Sequence, residues 1–220
     1  MLGLMFIHPA LADQAINSLL ATVADTYGAR APQAVRETGT TTSFRRGEGA
    51  LMRQFKAPDR FRIDITYDTG AESRALVGSN AWQQGQAANA AMHGAIVLQA
   101  ARLALPWSLL DKPAALVDLG AVSGPAGRIW RALELPMADG MRLIAEIDPV
   151  TGRMMRSRGI QTVMGATIEF ATEYSDFTRN GEHLYAAAEQ HYAMGQHIGR
   201  SHIQRIEYLD TLPDSAFGPR

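Results

Sequence analysis

The stretch from residue 48 to residue 84 constrains this chain most. Between Arg60 and Tyr67 it alternates strictly: Phe61, Ile63, Ile65 and Tyr67 are apolar, while Arg60, Arg62, Asp64 and Thr66 are polar. A repeat of two suits a strand with one buried face and one wet face, and a helical stripe would recur every three or four residues instead. Turn residues punctuate the stretch, with Ala57-Pro58-Asp59 before the alternation, Asp68-Thr69-Gly70 after it and Gly78-Ser79-Asn80 further on. A meander of short strands is predicted, and its apolar face must be covered by another part of the chain.

Two segments offer that cover. Residues 13–27 place Ile16, Leu19, Leu20, Val23 and Tyr27 on one stripe, with Asp13 able to cap the start and Gly28 to end the helix. Residues 87–112 are rich in alanine and unbranched side chains, with Pro106 restarting the helix around Trp107. Apolar residues in this insertion, among them Met92, Ile96, Val97, Leu98 and Leu103, go nearly all the way round. Such a helix is buried on most sides, or it sits against something that comes and goes.

The remainder reads as strands. A Thr-rich segment, 35–44, precedes the meander, and runs at 128–135, 142–147, 154–162, 166–177, 182–194 and 200–209 follow the insertion. Asp148-Pro149-Val150-Thr151-Gly152 and Asn180-Gly181 are strong turn signals between them. The prediction is an α+β, mostly β chain: about ten antiparallel strands in an up-and-down sheet, curled around a leading helix and a helical insertion on its concave side.

Composition removes several function classes. The chain has 220 residues, 46% of them hydrophobic, enough for one large domain. A net charge of -1 argues against a nucleic-acid partner. With no cysteine, disulfides, thiolate nucleophiles and iron–sulfur clusters are excluded, and so is a lipid-bearing cysteine anchor. Residues 1–12 read as the end of a secretory signal: an apolar run to Ile7, Pro9, and Ala10-Leu11-Ala12 as an A-x-A cleavage site before Asp13. No positively charged segment precedes the run, so the chain is expected to begin inside the signal, with export to the periplasm; a plain apolar start is the alternative. Residues 13–220 are expected to form one domain, and no later stretch has the roughly 20 apolar residues of a membrane span.

The order of these elements, with several local motifs, resembles the LolA/LolB-like superfamily of periplasmic lipoprotein carriers. The matching residues are Gly49-Ala50-Leu51, Pro58-Asp59-Arg60-Phe61-Arg62, Leu76-Val77-Gly78, Trp82, the Asp148–Gly152 turn and the tail Asp214-Ser215-Ala216-Phe217-Gly218-Pro219. The resemblance implies an unclosed β-barrel that wraps the leading helix and a helical lid, with acyl chains held between them. One departure is local: the soluble carriers place an arginine before the proline of the second strand, where it contacts the lid, and here that position is Ala57.

On this basis Phe61, Ile63, Ile65, Met92, Ile96 and Trp107 are the candidate lining of a lipid cavity, although core packing alone would also account for them. Expected partners are lipid or lipoprotein acyl chains and an envelope donor or acceptor protein. No cofactor is expected. An envelope sensor or protein-interaction module on the same fold is the alternative. Neither Gly78-Ser79-Asn80 nor Val122-Ser123-Gly124 is a nucleophile elbow, so no enzyme is predicted. His183, His191, His197 and His202 lack a carboxylate at ligand spacing and are read as surface residues rather than a metal site. The carboxylates Asp64, Glu146, Glu169 and Glu173 are mostly predicted to face water.

Overall fold

The structure, a computed structural model, describes residues 9–219. Helix α1 (Pro9–Tyr27) leads into β1 (Ala34–Ser43), β2 (Gly47–Lys56), β3 (Arg60–Tyr67), β4 (Gly70–Val77), β5 (Asn80–Gln83) and β6 (Gln86–Ala87). Helices α2 (Ala90–Leu103) and α3 (Trp107–Asp111) follow. The chain then continues as β7 (Val117–Ser123), β8 (Ile129–Pro136), β9 (Arg142–Ile147), β10 (Met154–Val163), β11 (Ala166–Asn180), β12 (His183–Ala193) and β13 (Gln196–Leu209).

All thirteen strands belong to one sheet, ordered β6-β5-β4-β3-β2-β1-β13-β12-β11-β10-β9-β8-β7. Each neighbouring pair is a sequential hairpin except β1 with β13, which zip together antiparallel in the middle. The free edges are therefore β6 and β7, the two strands that flank the helical insertion. The barrel is unclosed, and helix α2 spans between its two arms, touching β3–β5 on one side and β9 and β10 on the other, while α3 packs on α1.

The structure has more strands than the predicted ten or so. The additions are β6, only two residues long, and β7, whose sequence Val-Asp-Leu-Gly-Ala-Val-Ser breaks its alternation at Gly120, where the register with β8 shifts. Helix α1 also begins earlier than residue 13, at Pro9, a residue suited to the first turn because its missing N–H needs no partner there. The signal reading for residues 1–8 lies outside the described residues.

Two apolar clusters fill the concave side. Leu19, Leu20, Val23 and Tyr27 of α1 pack with Trp107 and Leu109 of α3 against Leu133, Leu143, Ala145 and Ile147 of β8 and β9. Helix α2 packs Ile96 and Ala100 against Leu51, Phe61, Ile63, Ile65, Leu76 and Ala81 of β2–β5. The alternation that opened the sequence analysis thus points Phe61, Ile63, Ile65 and Tyr67 inward, all buried.

The opposite face of the meander is not simply wet. The C-terminal tail folds back over it, burying Leu212, Ala216 and Phe217 against Ala34. Arg62, on that outer face, donates to both Asp64 oxygens at 2.6 Å and to the Gly218 carbonyl at 2.7 Å, and it is only 3% exposed. Glu146, predicted to face water, is 0% exposed: Arg156 and Arg158 close over its carboxylate from β10 at 2.7 and 3.0 Å. Strand alternation put it on the outer face correctly, but neighbouring side chains supply the cover there. His183 is also buried rather than superficial, its Nδ1 lying 3.0 Å from the Tyr27 carbonyl at the end of α1.

Candidate functional site

Between the helices and the concave sheet lies a cavity of about 580 Å³. That lies within the about 300–1,000 Å³ range of small-ligand sites. One sector of its wall is apolar: Leu51, Phe61, Ile63 and Ile65 from β2 and β3, Met92, Leu98 and Leu103 from α2, and Trp107 from α3. The Trp107 ring stands edge-on to Tyr27 and His183, and its indole N–H donates to the Gly28 carbonyl at 3.1 Å. Its polar tip is thereby satisfied, leaving the ring as hydrocarbon surface. Of the six predicted lining residues, Phe61, Ile63, Ile65, Met92 and Trp107 are on this wall. Ile96 is not; it is fully buried in the cluster beneath α2.

The lid is bonded to both arms of the sheet. On the β4–β5 side, Arg74 Nη1 donates to Gln99 Oε1 at 2.9 Å, and His93 Nε2 lies 2.9 Å from the Ser79 carbonyl. On the other side, Gln161 of β10 donates to the Ala91 carbonyl at 3.0 Å, and Arg102 donates to Thr172 Oγ1 of β11 at 2.6 Å. Missing side chains allow the close approach. Leu98 rests over Gly159, where an added Cβ would meet the leucine at 3.2 Å, and Gly94 sits against the Gln161 side chain. Asn89 caps the helix, accepting from the Met92 N–H at 3.0 Å.

The second sector of the wall is charged, which the sequence reading did not foresee. Arg53 of β2 donates through Nε to Glu37 of β1 at 2.7 Å and through both Nη atoms to Glu189 of β12 at 2.8 and 2.9 Å. Bidentate pairing of this kind is the strong form of the ion pair. Burial pushes Glu37 above the usual carboxylate range against the pull of Arg53. Burial also opposes ionisation of Glu189, but there the combined attraction of Arg53, His191 and Arg102 outweighs it and its pKa is lowered. Arg53 is raised: burial works against its charge, and the two carboxylates more than compensate.

Beside this triad, a row of hydrogen bonds crosses four strands. Thr41 donates to the Arg200 carbonyl at 3.0 Å, and Ser201 donates to Thr41 at 3.0 Å. Ser201 has then used its one proton, so His191 Nε2, 2.8 Å away, must be the donor to it. His191 Nδ1 is left as acceptor for Thr172 Oγ1 at 3.3 Å, and Thr172 in turn accepts from Arg102. Each hydroxyl and each ring nitrogen in this row is then partnered, with a neutral imidazole. Burial, reinforced by Arg102 and Arg53 against the opposing pull of Glu189, lowers the pKa of His191 to about 4, which agrees with that tautomer.

A sequence signal for part of this sector existed. Arg53 shares its parity with Leu51 and Phe55, and Glu189 shares its parity with His191 and Tyr185, so each lies on an inward face. Among the described residues no group of three or more His, Cys, Asp or Glu could hold a metal ion, and no helix is long and apolar enough to cross a membrane.

No protein-family model and no curated protein sequence matches the chain. Solved structures do. A LolA superfamily protein from Nitrosomonas europaea aligns over 92% of this chain and 96% of its own, with a TM-score of 0.54 and 12% identity. A DUF1329 family protein from Desulfovibrio piger aligns over 96% and 98%, with a TM-score of 0.54 and 9% identity. A Vibrio parahaemolyticus domain, provisionally assigned to outer membrane lipoprotein sorting, aligns over 94% and 97% at 0.50 and 7% identity. At such identities the likeness is one of fold: a curved, unclosed sheet over helices.

Proposed function

We propose that this protein is a periplasmic carrier that takes lipid, or the acyl chains of a lipoprotein, into the lidded cavity and moves them across the aqueous envelope space. The observation that carries this reading is the unfilled volume of about 580 Å³ under α2, with apolar side chains of β2, β3, α2 and α3 on its wall. Phe61, Ile63, Ile65, Met92 and Trp107 are the proposed acyl-chain contacts, and Ile96 supports that wall from behind. The open-sheet likeness to a LolA superfamily protein favours the same reading.

The mechanism needs no covalent step. Burying a dozen methylenes at about 0.8 kcal/mol each supplies on the order of 10 kcal/mol. Release then requires the lid to open, which uncovers Ile96 and Ala100 and breaks the four polar attachments of α2. They are individually weak enough to break in turn when a donor or acceptor protein offers a better surface. Native mass spectrometry of protein purified from periplasm tests the proposal. Co-purifying lipid that is lost on denaturation is the expected result; a ligand-free protein that also fails to take up a fluorescent fatty-acid probe would refute it.

A further inference from the structure

The charges on the cavity wall are unequally matched. Four arginines (Arg45, Arg53, Arg74 and Arg102) share it with three glutamates (Glu37, Glu72 and Glu189). Arg53 engages both Glu37 and Glu189, and Arg74 holds Glu72 at 2.9 Å. Arg45 stands at the exposed rim. That leaves Arg102, whose guanidinium has the neutral Thr172 Oγ1 as its one hydrogen-bond partner among the described residues.

Thr172 cannot supply a counter-charge indirectly, because its own proton goes to the neutral His191. A guanidinium has five N–H donors in a fixed fork, so most of those on Arg102, which lines the cavity, have no protein acceptor among the described residues. Burial lowers its pKa below that of an ordinary arginine. Among the described residues no carboxylate lies within ion-pair distance of Arg102; Glu189 attracts it from farther away but is already held by both Nη atoms of Arg53, so an anion of matching shape would supply the missing close partner. Leu98, one helical turn before Arg102 and also on the cavity wall, leads from this charge to the apolar sector.

We propose that Arg102 is a head-group site: the cavity takes an amphiphile whose carboxylate or phosphate end pairs with the Arg102 guanidinium while its chain lies along Phe61, Ile63 and Ile65. The planar fork of arginine matches both anions in a two-bond geometry. Because Arg102 belongs to α2, an anion held there also fastens the lid. The inference rests on the carrier reading and narrows its cargo to acidic lipids.

Calorimetric titration with chain-matched ligands tests it. Wild-type protein is expected to bind dodecanoate and dodecyl phosphate roughly tenfold or more tightly than 1-dodecanol, the gain from one charge-assisted bond pair. In Arg102→Gln the ratio should fall to within about twofold, and Arg102→Lys should keep part of it. Acetate and inorganic phosphate, which lack the chain, should not bind measurably at the same concentrations; equal binding of these free anions would make this an ion site and overturn the amphiphile. Equal affinity of wild type for dodecanoate and dodecanol would overturn the head-group site while leaving the carrier reading intact. Failure to bind any of the three chains would overturn both. The wild-type comparison decides the matter even if a variant does not fold.

Discussion

His191 shows what a single side chain contributes here. It is neutral at neutral pH because it lies among Thr172, Ser201, Arg102, Arg53, Glu189 and His197 with little water, its pKa down at about 4 from the ordinary 6.5. In the unfolded chain the same residue takes a proton below about pH 6.5. Between these two values the unfolded state binds a proton that the folded state refuses, so stability contributed by His191 is complete above pH 6.5 and is lost as the pH falls toward 4. The loss over that window is on the order of 3 kcal/mol. Denaturant titrations at several pH values should show this slope in wild type and a flatter one in His191→Asn; equal slopes would mean that other groups cause the acid sensitivity.

Among the elements, the lid has the most distinctive design. Helix α2 is not held by an arginine before the proline of the second strand, since Ala57 occupies that position and its N–H donates to the Gln33 carbonyl. Instead the attachments run both ways: Arg74 reaches from the sheet to Gln99, and Arg102 reaches from the lid to Thr172. The Leu98–Gly159 contact marks where lid and β10 come closest. Paired substitutions Leu98→Cys and Gly159→Cys would place two sulfurs there, after a few tenths of an ångström of relaxation toward the usual Cβ separation of about 3.8 Å. The chain has no other cysteine to compete. Oxidation should lock the lid and block uptake of a fluorescent fatty acid, and a reductant should restore it. Uptake at the same rate in both redox states would show that α2 does not gate the cavity.

For the whole molecule, topology separates stability from function. The first and last strands meet in the centre of the sheet, and α2 bridges its two arms between β3–β5 and β9–β10. The C-terminal tail crosses the opposite, convex face, where Phe217 is 0% exposed and Lys56 donates to the Leu212 carbonyl at 3.0 Å. Phe217→Ala should therefore cost about 3–5 kcal/mol by leaving a void against Ala34 and Leu212. Because that void lies outside the cavity, ligand affinity of the fraction that remains folded should be unchanged. Thermal melts alongside binding titrations would show it, and a parallel loss of affinity would mean that the tail couples to the lid.

Sequence determined the strands and most of the turns, because a two-residue alternation and residues such as Pro58, Gly152 and Asn180-Gly181 act locally. It also indicated that a helical insertion covers the concave face, since α2 has more apolar surface than a wet helix would carry. Alternation turns Arg53 and Glu189 inward, but which charges meet on the cavity floor was decided by tertiary structure. Glu37, Arg53 and Glu189 are joined across 16 and 136 residues of chain, and Arg102 meets Thr172 across 70. Read one element at a time, none of these side chains shows which partner it will meet. Closure of the sheet around a cavity turns an inward-facing polar position into a nearly dry one. A buried charge is then stable only where another strand brings its partner; β12 gives Glu189 to Arg53 in a two-bond pair, which leaves Arg102 with the neutral Thr172 as its close partner among the described residues.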